Sequence, residues 1–199
     1  MPARQFGQKA GVIPAIVGSD FRIANGDPAI AGLVLFAASA RPLEQIVVEQ
    51  LQYFTTLPGG SSDVLQKKIA AAQEAERRVE SPDLKPGDMV DLLGSKIAAS
   101  YFLDLRGYDP PAVAAKLGIP ILVLQGARDY QVRDADFDAW KKALGGNPSV
   151  QFQHYKDLNH LFETGKGMAT PDEYDNAGHV AEPVISDIAT WTLSTAKSK

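Results

Sequence analysis

Two residues that can jointly handle a proton stand in the last third of this chain. Asp129 follows the apolar run of IPILVLQGARDYQV, just past a break at Gly126, and His160 lies in LNHLF, beyond a second strand-like run at residues 150–155. A carboxylate at one strand end and an imidazole beyond the next is the arrangement that activates a hydroxyl: the carboxylate orients the ring, and the ring takes the proton. Each residue alone has a plainer reading. An aspartate past a strand can simply cap the turn, and a lone histidine is commonly structural or superficial. His154, in a strand with Phe152 on its face, reads as structural, whereas His179 either lines a pocket or caps the final helix. No pair of histidines has the spacing of a metal site, so neither metal nor cofactor is expected. The chain has no cysteine, which excludes disulfides, thiolate metal sites and a cysteine nucleophile.

The elements that must position this pair are legible by period. Residues 30–38, IAGLVLFAA, form a continuous apolar run of the kind buried on both faces of a parallel sheet. Residues 11–18, GVIPAIVG, have strand composition, but Pro14 disfavours a central ladder position there, and Asn25-Gly26-Asp27-Pro28 signals a turn. Residues 40–110 read as helical throughout: one helix from Pro42, a charged one over 64–79 capped by Ser62 or Asp63, and a last one over 95–105. Strict alternation then returns, with helix 112–117, strand 121–124, helix 134–144, strand 150–155, the loop bearing His160 and a final helix over 180–193. The fold class is therefore α/β, in a single domain over 1–199: an atypical segment at 1–21, a helical insertion at 40–110 and an α/β part at 111–199. In such sheets the chemistry sits beyond the carboxyl ends of the strands, where Asp129 and His160 both fall.

Composition narrows the function classes. With 199 residues, 45% of them hydrophobic, the chain can bury one substantial core. A net charge of −4 offers no basic face for nucleic acid. No apolar run approaches the roughly 18 residues of a membrane span. The first residues, Met1-Pro2-Ala3-Arg4-Gln5-Phe6, lack the pattern of a signal peptide, so a cytoplasmic location is the default expectation.

Several blocks in order, DPAIAGLVLFAASARPLE, YFLDLRGYDPP, IPILVLQGARDYQV, LNHLF and TPDEYDNAGHVAEPVISDIATW, resemble the carboxyl-terminal portion of a bacterial α/β-hydrolase of the esterase and acyl-thioesterase type, from Arg22 to Leu193. The resemblance implies a partial α/β-hydrolase-type parallel sheet with an inserted helical cap. It also implies Asp129 as triad acid, His160 as triad base, and residues 43–110 as a lid over an acyl pocket. The substrate class it implies is a small carboxylic ester or thioester.

The family's serine sits in a G-x-S-x-G elbow on a sharp strand-to-helix turn. No such elbow occurs here; counting back from Arg22, the serine would fall near Pro14, and about the first half of the usual domain is expected to be missing. Ser39, at the end of the 33–37 strand, is the substitute nucleophile that the geometry of such a sheet would offer. Arg41 beside it reads as a structural partner for a cap carboxylate or as a substrate contact, and Tyr130 and His179 complete the candidate substrate-binding set. General acid–base action alone contributes about 10²–10⁴-fold. Losing a triad member costs on the order of 10⁶ in turnover, and losing an oxyanion donor about 10²–10³. The isolated chain is thus expected to hydrolyse weakly or not at all; the alternative is a non-catalytic hydrolase-like binding or assembly module. An unpaired strand at Leu33 to Phe36 would be a pairing template. Two ways of covering it are open: a homodimer that continues the sheet, or the 11–17 segment acting as a replacement strand.

Overall fold

The computed structural model describes residues 11–15, 27, 29–60 and 62–197. Their elements, in chain order, are β1 (Gly11–Ala15), β2 (Ile30–Phe36), α1 (Leu43–Phe54), α2 (Asp63–Glu80), β3 (Met89–Leu92), β4 (Ser95–Ala98), α3 (Ala99–Leu105), α4 (Pro110–Ala114), β5 (Ile121–Gly126), α5 (Asp134–Leu144), β6 (Val150–Tyr155) and α6 (Glu182–Lys197), with a 3₁₀ turn at Pro171–Asp175. The readings of residues 1–6 and of 16–18, and the Asn25–Pro28 turn apart from Asp27, lie outside the described residues. Asp27 itself makes the turn into β2: its Oδ1 accepts from the Ala29 amide at 2.8 Å and its carbonyl from Ile30 at 3.2 Å.

The main sheet has the order β1-β2-β5-β6, every pair parallel. Alternate residues of β2 and β5 enter two different cores, which is why both strands are apolar without a break. Leu33, Leu35, Ile121 and Val123 pack with Phe137, Trp140 and Leu144 of α5 on one face. Val34, Leu122 and Leu124 pack with Val184 and Trp191 of α6, and with Leu158 and Phe162, on the other. Gly32 is required by that second layer, since a Cβ there would come within 2.9 Å of the Trp191 ring.

The expected unpaired edge at Leu33–Phe36 is corrected by this topology. β2 is an interior strand, paired with β5 on one side and with β1 on the other, where Ile13 lies opposite Leu33 and Ala15 opposite Leu35. Covering by the amino-terminal segment is the arrangement present, so the premise of a sheet-continuing dimer through that strand falls. Pro14 is tolerated because β1 is itself the edge strand, where a missing ladder donor can face outward.

Residues 40–110 are not helical throughout. Between α2 and α3 the chain forms an antiparallel hairpin, with Met89 opposite Ala98 and Leu92 opposite Ser95. The expected helix over 95–105 is therefore strand to Ala98 and helix only from Ala99. The hairpin turns at Leu93 and Gly94, both at positive φ (55° and 88°), the primed geometry that matches strand twist. Asp91 Oδ1 closes it by accepting from the Gly94 amide at 2.7 Å. α2 begins as expected, with Ser62 accepting from the Leu65 amide at 3.2 Å. The insertion has cores of its own: Ala75, Val79, Leu84, Val90, Leu92 and Phe102 form one, and Val48, Leu51, Ile69 and Ala72 a second.

Candidate functional site

β5 ends in Gly126, and the chain turns at once, with the Asp129 amide donating to the Gly126 carbonyl at 3.1 Å. Glycine is needed at this point because the loop after β6 lies against it: a Cβ would come within 2.4 Å of the Leu158 carbonyl oxygen and 2.7 Å of that of Asn159. Two backbone bonds knit the loops together, Ala127 to the Tyr155 carbonyl at 2.9 Å and Arg128 to that of Leu158 at 3.0 Å. The break that ends the apolar run is thus the point where the two candidate residues are brought together.

There, His160 Nδ1 lies 2.8 Å from Asp129 Oδ2. The Asp129 side chain is fully buried, whereas that of His160 is 26% exposed. Oδ1 of Asp129 accepts from the amides of Gln131 (2.7 Å) and Val132 (2.9 Å). The buried Gln125 amide reaches Oδ2 at 3.4 Å and is itself held by the carbonyls of Val132 at 2.8 Å and Gly126 at 3.1 Å. An ionised carboxylate so supplied with donors is an acceptor only, so it imposes the tautomer in which Nδ1 carries hydrogen and donates to it. Nε2 is then the ring atom left to take a proton.

The loop carrying His160 is braced from behind. The buried Asn159 side chain accepts from the amides of Leu161 (3.0 Å) and Glu163 (3.1 Å) and donates to Glu173 at 3.3 Å. Glu173 also pairs with Arg128, whose guanidinium donates to the Gly167 carbonyl at 2.8 Å. Gly165 leaves room for that guanidinium. Arg128 is the residue before Asp129, so one network holds both loops in place.

His160 lines a cavity of about 620 Å³ between the end of β2 and the insertion, with Ala37, Ser39, Arg41, Glu44, Ile46, Val79, Tyr101, Phe102, Leu105 and Val132 among the other lining residues. Three of the six expected site residues, Ser39, Arg41 and His160, line this cavity, and Asp129 is bonded to His160. Ser39 is half-buried. Just before it, Ala37 has φ +41°, a left-handed conformation rare for a residue with a Cβ, so the strained turn at the end of β2 centres on an alanine and not on the serine.

Arg41 is held as a structural clamp. It forms a fork with Asp136 of α5 (Nη2–Oδ2 2.7 Å, Nε–Oδ1 3.2 Å) and pairs with Glu49 of α1. The Glu49 bond, and then Asp136, keep the guanidinium protonated, and the same bond lowers the Glu49 carboxyl. Tyr130 does not line the cavity. It is buried, stacks on Tyr53 with ring centroids 5.2 Å apart, and touches Phe54 and Tyr174; burial raises its phenol well above the ordinary value. His179 is exposed, beside a separate depression with Asn159, Glu163 and Glu173. The structural reading of His154 agrees with its place, stacked on Phe137 at 5.0 Å and bonded to Asp134 at 2.8 Å.

Among the described residues no three histidine, aspartate or glutamate side chains could hold a metal ion, and no helix is long and apolar enough to cross a membrane. Sequence reasoning missed Gln125, Glu44, Asn159 and Asp136. None of them carried a signal of its own: a polar residue in a first turn, at a strand end or in a loop reads as surface.

No family model matches the chain. Esterase EstD of Thermotoga maritima is 39% identical to it over 162 residues, a stretch covering 81% of this chain and 37% of that protein. Over that stretch the chain is similar to this esterase. It spans well under half the length of the curated relative it matches. Among solved structures, the esterase domain of a Rhodothermus marinus protein superposes with a TM-score of 0.42 at 12% identity, covering 75% of this chain and 50% of the other. A Mycobacterium tuberculosis protein, BpoC, described as a non-haem bromoperoxidase, does so with a TM-score of 0.47 at 14% identity, covering 94% and 68%. The fold is a four-stranded parallel α/β sheet with an insertion between β2 and β5.

Proposed function

We infer that this chain hydrolyses carboxylic esters or thioesters, with His160 as the general base and Asp129 as the group that orients it. The observation that carries this reading is the 2.8 Å contact between His160 Nδ1 and the buried Asp129 carboxylate, with the imidazole lining the cavity. With Nδ1–H committed to Asp129, Nε2 takes a proton from the attacking hydroxyl. That hydroxyl belongs either to a water or to Ser39, the serine on the same wall. The oxygen adds to the carbonyl carbon, and the imidazolium, stabilised by Asp129, returns the proton to the leaving alkoxide or thiolate as the tetrahedral species collapses. Attack by Ser39 gives an acyl-enzyme that a second, water-borne cycle resolves. General-base action on water supplies about 10²–10⁴-fold, so the chain alone turns over slowly.

Release of nitrophenol from a short-chain nitrophenyl ester, lost in His160→Ala, supports the reading; a rate untouched by that change removes it. A fluorophosphonate probe mapped by mass spectrometry tells the nucleophiles apart. Labelling at Ser39 that needs His160 assigns the serine, and turnover without labelling assigns water.

One observation favours a second reading, a non-catalytic binding or assembly module. The chain contains no G-x-S-x-G elbow, and the strained residue at the end of β2 is Ala37. A folded chain with neither labelling nor His160-dependent turnover moves the function there.

A further inference from the structure

Glu44 stands out from the other polar residues of the cavity. It lies in the first turn of α1 and lines the cavity, yet only 8% of its surface is exposed. Two nearby arginines on the same wall are committed elsewhere: Arg41 to Glu49 and Asp136, and Arg106 to the backbone carbonyls of Val79 (2.5 Å) and Ser81 (3.0 Å). No cationic side chain among the described residues pairs with Glu44; its own backbone amide reaches it, and the carboxylates of Glu76 and Glu80 repel it. Glu80 lines the same cavity.

A buried carboxylate without a counter-ion is costly, and proteins retain such a group chiefly where something else supplies the missing charge. The first turn of a helix favours a negative side chain, but an exposed one would gain that benefit without desolvation. Among the described residues no counter-ion accounts for this charge beside the cavity. Leu43, Ile46, Val79, Phe102 and Leu105 give that volume an apolar side, and Gln45, Gln50, Asp104 and Gln131 also line it.

We propose that Glu44 is the recognition group for a positively charged, alkylammonium-bearing substrate, whose hydrocarbon part lies along the apolar wall while its ammonium binds the Glu44 carboxylate. This rests on the esterase reading for the word substrate, and it narrows the substrate class to esters or thioesters that carry an amine. The role is one of binding and specificity, since Glu44 takes no part in proton transfer to the reacting atoms.

The test reads binding without turnover, so it stands or falls separately from the esterase reading. Hexylammonium and 1-hexanol have the same chain length and differ in the charged head. Calorimetry on the full chain at neutral pH is expected to show hexylammonium binding roughly tenfold more tightly or better, the size of one charge-assisted hydrogen bond. Glu44→Gln keeps the shape, removes the charge and is expected to bring the two affinities together. His160→Ala is expected to leave the preference in place. Equal affinities in the unaltered chain would overturn the proposal, as would a preference that survives in Glu44→Gln. A chain that prefers hexylammonium but hydrolyses no ester would sink the esterase reading alone.

Discussion

At the residue scale the Asp129–His160 pair is the centre of the account, and its surroundings dictate how variants should behave. Asp129→Asn keeps the shape but offers Nδ1 a donor where it needs an acceptor, favouring the wrong tautomer. The expected result is a loss of about 10³–10⁴ in kcat with the fold retained, by analogy with a known triad case, read by ester turnover beside a near-ultraviolet spectrum. Asp129→Ala is expected to cost stability as well, about 1–3 kcal/mol in urea unfolding, because the amides of Gln131 and Val132 lose their acceptor in a buried place.

Glu44 behaves in the opposite sense. Burial, and then repulsion from Glu76 and Glu80, raise its carboxyl above the usual value. A group whose folded pKa is raised binds its proton more tightly in the folded state. Its contribution is fully present below the unfolded pKa and is lost as the pH rises through the folded one. At neutral pH the charge therefore works against folding, and Glu44→Gln is expected to raise Tm there, with the gain shrinking as the pH falls toward the carboxylate range. A Tm lowered by the substitution at neutral pH would contradict the assignment. The pair Asp129 and His160 was legible in the sequence because each follows a strand whose apolar run marks its end. Glu44 and Gln125 were not, because each sits in an element whose period is carried by its neighbours, and a single polar residue in a first turn or at a strand end reads as surface.

At the element scale, two devices hold the cavity wall. The end of β2 is tied to α5 by Arg41 and Asp136 and by Trp140, whose indole donates to the Ala38 carbonyl at 2.8 Å. Asp136 is wholly buried and also accepts from the Ala40 amide at 2.9 Å, so Arg41→Ala strands a buried charge. The expected cost is about 3–5 kcal/mol in urea unfolding, and a change below 1 kcal/mol would show the clamp to be dispensable. The second device is the β3–β4 hairpin, the element the sequence hid. Its signal, alternation over MVDL and SKIA, is only four residues a side, and its turn lacks the usual Asn-Gly pair because Leu93 takes the first left-handed position. A leucine there carries about 1–2 kcal/mol of strain, so Leu93→Gly is expected to be neutral or stabilising by up to about 1 kcal/mol, although the residue replaced is hydrophobic.

At the scale of the whole molecule, the sheet and the insertion are built on separate cores. The α/β class and the existence of β2, β5 and β6 followed from the strand-like runs and their alternation with helices. The role of the amino-terminal strand stayed open between two alternatives, because Pro14 disfavours a central position and only the sheet order puts it at an edge. The hydrogen bonds and ring contacts that join the two parts are the Ala40 and Arg41 bonds to Asp136, Gln50 to the Gln131 carbonyl at 3.0 Å, Tyr53 to that of Ala169 at 2.8 Å, and the packing of Tyr53 and Phe54 on Tyr130. Such a junction is expected to open before the sheet does. Native-state hydrogen exchange should find α2, β3, β4 and α3 exchanging at lower opening free energy than β2 and β5. Uniform protection would show a single cooperative unit.

The central claim is that His160, oriented by Asp129, performs ester hydrolysis at this cavity. The most direct measurement is the rate of nitrophenyl-ester hydrolysis by the purified chain beside His160→Ala at equal concentration, with folding checked for both. A slow, saturable rate is expected in the former, falling to the solution background in the latter. Equal rates in the two would contradict it, whatever their size.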